Sequence, residues 1–197
     1  MARIPSVLLV SFVIACGGGK PASDPSPATS SAPAATGVER FFPLEEGRIY
    51  HYVTKEGSET GMLVAKVRRT DAAHGELRLS NGTKRFILSP DGVSYDTGIF
   101  VLKAPIEVGT SWPGEHGGTT KIAAIDASAT VPAGTYSGCV KTVEEGRQGA
   151  RYTTTYCPGI GMVLLEVTAQ GAEARAELKS YGFPQKVEEG TSVTITK

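Results

Sequence analysis

The sequence predicts an all-β fold, a single antiparallel, strongly curved sheet or incomplete barrel built from hairpins. Three observations carry that expectation. Long apolar repeats of helical period are absent, 24 of the 197 residues are glycine, and apolar residues alternate with polar ones in short runs bounded by turn residues. About 145 residues lie between a low-complexity N-terminal stretch and Gly182, enough for one domain burying about 70% of the surface its unfolded chain would expose.

Phe41-Phe42-Pro43-Leu44 opens the domain. Residues 48–54 then alternate Ile49, His51 and Val53 against Tyr50, Tyr52 and Thr54, which predicts a strand. Residues 62–69 give a second, with Gly57 and Gly61 marking the turn. Asn81-Gly82 has the composition of a type I′ hairpin turn, whose two central residues need positive φ. Centred there, the hairpin sets Leu77 opposite Phe86 and Leu79 opposite Lys84, with Leu88 on the same face and Glu76, Arg78, Arg85 and Ile87 on the other. Ser89-Pro90-Asp91-Gly92 is a further turn, leading to short strands at 93–95 and 99–102.

Pro105-Ile106-Glu107, Gly109 and Trp112 repeat the pattern Pro43-Leu44-Glu45, Gly47 and Tyr50 at identical offsets. The match is either chance among common residue types or the mark of two similar halves, in each of which a turn delivers an aromatic into the sheet. One or two strands are expected within 119–131, then a turn at Val131-Pro132-Ala133-Gly134-Thr135-Tyr136. Residues 140–145 and 151–156 form a hairpin about Gln148, pairing Val140 with Tyr156, Val143 with Thr153 and Glu145 with Arg151. That register sets Cys139 opposite Cys157, at a separation a disulfide bridges, and in an exported protein such a pair reads first as a structural disulfide. No C-x-x-C spacing supports a redox pair. A last hairpin about Gln170-Gly171 places Val163, Leu165, Val167, Ala174, Ala176 and Leu178 on one face and Glu166 opposite Arg175. Its second arm, rich in Ala and Glu, also has helical propensity. Residues 184–197 read as a polar tail with a frayed strand at 192–196.

The N-terminus supplies an address. Met1 to Arg3 carries one positive charge, and residues 4–15 are an apolar run of secretory-signal length, too short to span a bilayer as a helix. The closing residues Val13-Ile14-Ala15-Cys16 resemble the lipobox of bacterial lipoproteins, which implies lipidation of Cys16 and a membrane anchor. Residues 1–15 are then the signal peptide, 16–37 the lipidated cysteine and a disordered tether of Gly, Pro, Ser, Ala and Thr, and 38–183 the β-domain. Gly17 in place of aspartate after the cysteine favours the outer membrane, by resemblance to the sorting rule of well-studied lipoproteins.

The domain itself resembles a group of uncharacterised exported bacterial lipoproteins. The resemblance rests on Phe42-Pro43-Leu44, Gly47, Tyr50 and Tyr52, on Pro132-Ala133-Gly134-Thr135-Tyr136, and on Tyr156, Pro158-Gly159 and Gly161. These are turn and core residues, so the resemblance implies a curved antiparallel sheet or incomplete barrel and no catalytic residues.

Twenty basic and twenty acidic residues cancel without a basic run, which argues against a nucleic-acid partner. His51, His74 and His116 lie far apart with no metal-ligand spacing, and Glu45-Glu46, Glu144-Glu145 and Glu188-Glu189, each before a glycine, read as solvated turn charges. No G-x-S-x-G elbow or phosphate loop is present. The expectation is a non-enzymatic protein without cofactor or metal. Two functions remain: an interaction or envelope-structural module acting on an envelope protein through an outer face or sheet edge, or a binder of an apolar or amphipathic ligand. The second requires an unfilled concavity, for which Ile49, Val53, Leu77, Leu79, Phe86, Leu88, Val163, Leu165 and Val167 are the candidate lining. A domain of this size usually fills its core, which favours the interaction module.

Overall fold

The computed structural model of the chain describes residues 37–184. The expected signal peptide, Cys16, most of the tether, Glu188-Glu189 and the strand at 192–196 lie outside the described residues.

Twelve strands form one antiparallel sheet curved into a nearly closed barrel: β1 (Ile49–Glu56), β2 (Glu59–Arg69), β3 (His74–Leu79), β4 (Gly82–Ser89), β5 (Gly92–Tyr95), β6 (Phe100–Lys103), β7 (Ser111–Pro113), β8 (Thr119–Val131), β9 (Gly134–Glu145), β10 (Arg151–Cys157), β11 (Gly161–Ala169) and β12 (Ala172–Gly182). There is no α-helix among the described residues. The spatial order is β6-β5-β4-β3-β2-β1-β12-β11-β10-β9-β8-β7, so two six-stranded meanders join through the β1–β12 ladder. The edge strands β6 and β7 meet at the opposite seam, where the Trp112 indole N–H donates to the Phe100 carbonyl at 2.9 Å.

The two meanders begin alike. Gly47 and Gly109 both have positive φ, at 79° and 97°, a conformation that favours glycine. The Arg48 N–H donates to Glu45 O and the Thr110 N–H to Glu107 O, each at 3.1 Å. Gly47 and Arg48 then exchange backbone hydrogen bonds with Val67, as Gly109 and Thr110 do with Ile122. Each turn is followed by a buried aromatic, Tyr50 or Trp112. The sequence repeat is thus matched by a structural one.

Because all neighbours are antiparallel, alternate loops fall at alternate ends of the barrel. One end is plugged by the entering chain. There the 3-10 turn Gly37–Phe41 and the residues after it bury Val38, Phe42 and Leu44. The Phe42 ring centre lies 5.0 Å from that of Phe86, and Gly159 N–H donates to Arg40 O at 2.7 Å in the β10–β11 turn. Leu44 sits directly on Gly75 of β3, where an added Cβ would come within 2.8 Å of its side chain.

The cysteine hairpin has the expected register, Val140↔Tyr156, Val143↔Thr153 and Glu145↔Arg151, and Cys139 and Cys157 form a disulfide with their Cα atoms 4.2 Å apart, both buried. Glu166 pairs with Arg175, and the Ala- and Glu-rich arm is a strand held between β11 and β1, so its local helical propensity is overridden by two ladders. The β3–β4 hairpin departs from expectation by two residues. Leu77 faces Lys84 and Leu79 faces Gly82 across a Ser80-Asn81 turn. Gly82 has positive φ and Asn81 does not, so the pair cannot form the two centres of a type I′ turn. A slip of two residues keeps every side chain on its face, and the alternation of the sequence does not oppose it.

Candidate functional site

The barrel interior is not filled. A cavity of about 310 Å3 lies between the plug and the opposite end, at the lower limit of the roughly 300–1,000 Å3 of small-molecule pockets. Its floor is the plug itself, Phe42, Pro43 and Leu44. Leu63 and Ala65 of β2, Leu77 and Leu79 of β3 and Phe86 of β4 make one wall, which Met162 and Leu165 of β11 continue. Tyr50 and Tyr52 of β1 present their rings there, with their hydroxyls donated to Ile160 O at 2.8 Å and Met162 O at 3.0 Å. Phe100 and Val101 of β6 lie at the open seam.

At the unplugged end the cavity meets a polar rim built on the β7–β8 loop. This loop can lie against β9 because it is glycine-rich. A Cβ on Gly114 would overlap the Glu144 carboxylate, and one on Gly118 the Glu145 carbonyl. Glu144 is buried, and its carboxylate accepts hydrogen bonds from His116 N–H at 2.7 Å, from Gly118 N–H at 3.4 Å and from His116 Nδ1 at 3.0 Å. The His116 ring also stacks on Tyr152, with centroids 3.5 Å apart and planes 9° from parallel. A buried carboxylate requires such donors. In the neutral imidazole this arrangement places the proton on Nδ1 and leaves Nε2 as an acceptor.

Beside this pair, Glu115 accepts from Lys84 Nζ at 2.9 Å and from the Tyr95 hydroxyl at 2.5 Å. The Lys84 ammonium lies 5.1 Å from the Tyr95 ring centre. Burial alone would raise the Glu115 carboxyl, but hydrogen bonds from Tyr95 and Lys84, with the charge of Lys84, outweigh it and hold the group below its ordinary value. Burial, reinforced by the neighbouring Glu115 carboxylate, pushes Tyr95 well above the usual phenol range. Burial likewise raises Tyr52 and Tyr156. The Tyr52, Tyr95 and Tyr156 phenols are therefore neutral at physiological pH.

Of the nine residues expected to line a concavity, Leu77, Leu79, Phe86 and Leu165 do. Ile49 and Val53 do not: β1 points Tyr50 and Tyr52 inward, so the alternate positions face outward beside the exposed Met62 and Val64 of β2. Both faces of β1 are apolar, and its alternation leaves the phase open. The tyrosines take the inside because their rings fill it and their hydroxyls find carbonyls there. Leu88 shares the inner face of Phe86 but pairs with Val93 at the plugged end, beyond the cavity. Val163 is the extra residue of a bulge opposite Thr155 and Tyr156 and is buried away from the cavity, and Val167 is half-buried outside the lining.

Glu144 corrects the reading of Glu144-Glu145 as solvated turn charges. Glu145 is exposed and pairs with Arg151, but Glu144 faces inward. The sequence holds the signal that finds it. The register pairing Val140 with Tyr156 puts residues 140, 142 and 144 on one face, with Glu144 opposite Tyr152.

Among the described residues no three His, Cys, Asp or Glu side chains are grouped to hold a metal ion, and none of their helices is long and apolar enough to cross a membrane. No protein-family model matches the chain, and no curated protein matches it. Solved structures similar in shape include two bacterial proteins. One is a putative exported protein with a YmcC-like fold from Bacteroides fragilis, 13% identical, covering 72% of this chain and 98% of its own, with a TM-score of 0.49. The other is a putative lipoprotein from Parabacteroides distasonis, 14% identical, with the same coverages and a TM-score of 0.41.

Proposed function

We propose that this protein is an exported lipoprotein, anchored to a membrane through Cys16, whose β-domain binds a small apolar or amphipathic ligand inside the barrel. The observation that carries the reading is the unfilled interior, about 310 Å3 with an apolar floor and a polar rim at one end. Interiors of small domains are normally close-packed, and a void of this size forfeits dispersion contacts that a ligand restores. The anchor rests on Val13-Ile14-Ala15-Cys16, and Gly17 favours the outer membrane. The chain enters at the plugged end, so the rim lies at the end of the domain opposite the tether's attachment. The reading is binding: the His116–Glu144 pair at the rim is closed on itself, and among the described residues no nucleophile is hydrogen-bonded to it.

The test is a titration of residues 17–197, exported without the lipid and purified without detergent, with the neutral fluorophore N-phenyl-1-naphthylamine. Saturable one-to-one enhancement, displaced by 1-octanol and weakened at least tenfold by Leu79→Asp with the fold retained, supports the reading. Absence of saturable binding overturns it.

A second reading has one observation of its own. Met62 and Val64 are 60% and 40% exposed on the outer face, with Ile49 and Val53 beside them, which supports contact with an envelope protein.

A further inference from the structure

The polarity of the cavity is divided lengthwise as well as end to end. Going round the barrel, the adjacent strands β8, β9 and β10 contribute Thr120, Thr142, Glu144, Tyr152, Thr154 and Tyr156, each carrying a polar group. Across the interior, β2 and β3 contribute Leu63, Ala65, Leu77 and Leu79, while Met162 and Leu165 of β11 border the polar stripe beside Tyr156 and Thr154. The tyrosines nearest the apolar side have their hydroxyls bound to backbone carbonyls and show only rings.

The register makes the polar stripe continuous. Thr120 pairs with Glu144, Thr142 with both Ile122 and Thr154, and Glu144 with Tyr152, so the Thr120, Thr142 and Thr154 side chains lie on the same inner face of three neighbouring strands. Thr120 and Thr142 are buried, and both line the cavity. The formal charges of the rim are already answered within the protein, Glu115 by Lys84 and Glu144 by His116 and backbone N–H groups. An ionic head group would have to break one of these pairs, and the partner left behind would be costly to desolvate. A neutral hydroxyl would not.

We propose that the ligand is a neutral, facially amphipathic molecule, with hydroxyl groups along one face turned to Thr120, Thr142 and Thr154 and a hydrocarbon face laid on Leu63, Leu77 and Leu79. This rests on the reading of the cavity as a ligand site and sharpens it: a simple head-to-tail amphipath satisfies the rim but leaves the threonine stripe facing methylenes.

The experiment compares two isomeric decalin diols, one with both hydroxyls on the same face and one with them on opposite faces, by calorimetric titration into residues 17–197. The isomers match in size and composition, so only the facial arrangement differs. The expected result is that the same-face isomer binds about tenfold more tightly, and that Thr120→Val with Thr142→Val, near-isosteric replacements that lack the hydroxyls, abolishes the preference. Equal affinity of the two diols for the wild-type protein, with 1-octanol also binding, overturns the facial inference and leaves the cavity reading standing. Failure of all three to bind overturns both. The comparison on the wild-type protein is informative even if the double variant does not fold.

Discussion

Trp112 is joined to Phe100 across the seam of the barrel by a 2.9 Å hydrogen bond from the indole N–H to the backbone carbonyl. Its counterpart in the other meander is Tyr50, whose hydroxyl donates at 2.8 Å to Ile160 O. Each aromatic begins one half and ties its polar tip to the backbone of the other, but the seam at Tyr50 also has the full β1–β12 ladder, and the seam at Trp112 has none.

Trp112→Phe therefore removes a fastening that no ladder replaces. A lost hydrogen bond to a half-buried residue's carbonyl and the lost packing together cost about 1–3 kcal/mol. Urea denaturation gives the magnitude, and amide exchange gives the place. Exchange is expected to accelerate in β5 and β6 and to stay unchanged in β1 and β12. Uniform acceleration across the sheet would contradict the seam assignment.

The disulfide fastens β9 to β10 where their ladder ends. Replacing both Cys139 and Cys157 by alanine removes a cross-link between residues 18 apart, worth about 3 kcal/mol in the chain-entropy description. The expected outcome is a lower urea midpoint. A midpoint unmoved by reduction would show that the constraint on the unfolded chain is negligible.

Glu144 and His116 are expected to respond to substitution as a pair. Glu144→Leu leaves the His116 and Gly118 amides without an acceptor and costs about 2–4 kcal/mol. Glu144→Gln is milder, because the imidazole can move its proton to Nε2 and accept from the new amide at Nδ1. Nitrogen NMR of the ring distinguishes the tautomers: Nδ1–H in the wild type at neutral pH and Nε2–H in the variant. The same tautomer in both would break the proposed coupling.

Glu115 gives a pH dependence whose sign follows from its direction of shift. Its carboxyl is held below its ordinary value of 4.5 in the folded protein, so its contribution to stability is fully present above that value and is lost as pH falls through the lower folded value. The group is partly exposed, which limits the size of the effect. Urea unfolding at pH 7 down to pH 3 should show a steeper acid loss in the wild type than in Glu115→Gln. Parallel curves would mean that the contacts of Glu115 with Tyr95 and Lys84 do not favour its charged form.

Much of this architecture was legible because it depends on local pattern. Paired strands about Gln148 and Gln170-Gly171 follow from alternation and turn residues, and their registers place the disulfide and the Glu166–Arg175 pair. What the pattern did not determine was phase and closure. β1 carries large apolar residues on both faces, so only the tertiary partners of Tyr50 and Tyr52 decide which side is inside. Whether twelve strands leave a void depends on how the plug and the two seams close, which involves Phe42 with Phe86 and Trp112 with Phe100, pairs remote from any hairpin register. Glu144 looked like a turn charge because it precedes Glu145 and Gly146, yet its parity with Val140 already placed it inward.

Occupancy of the barrel interior is read by native mass spectrometry of residues 17–197, purified from an oxidising export compartment without detergent. The expected spectrum shows a small neutral adduct in one-to-one ratio that is retained by the wild type and lost from folded Leu79→Asp. A bare mass that takes up neither diol nor 1-octanol on addition would contradict it.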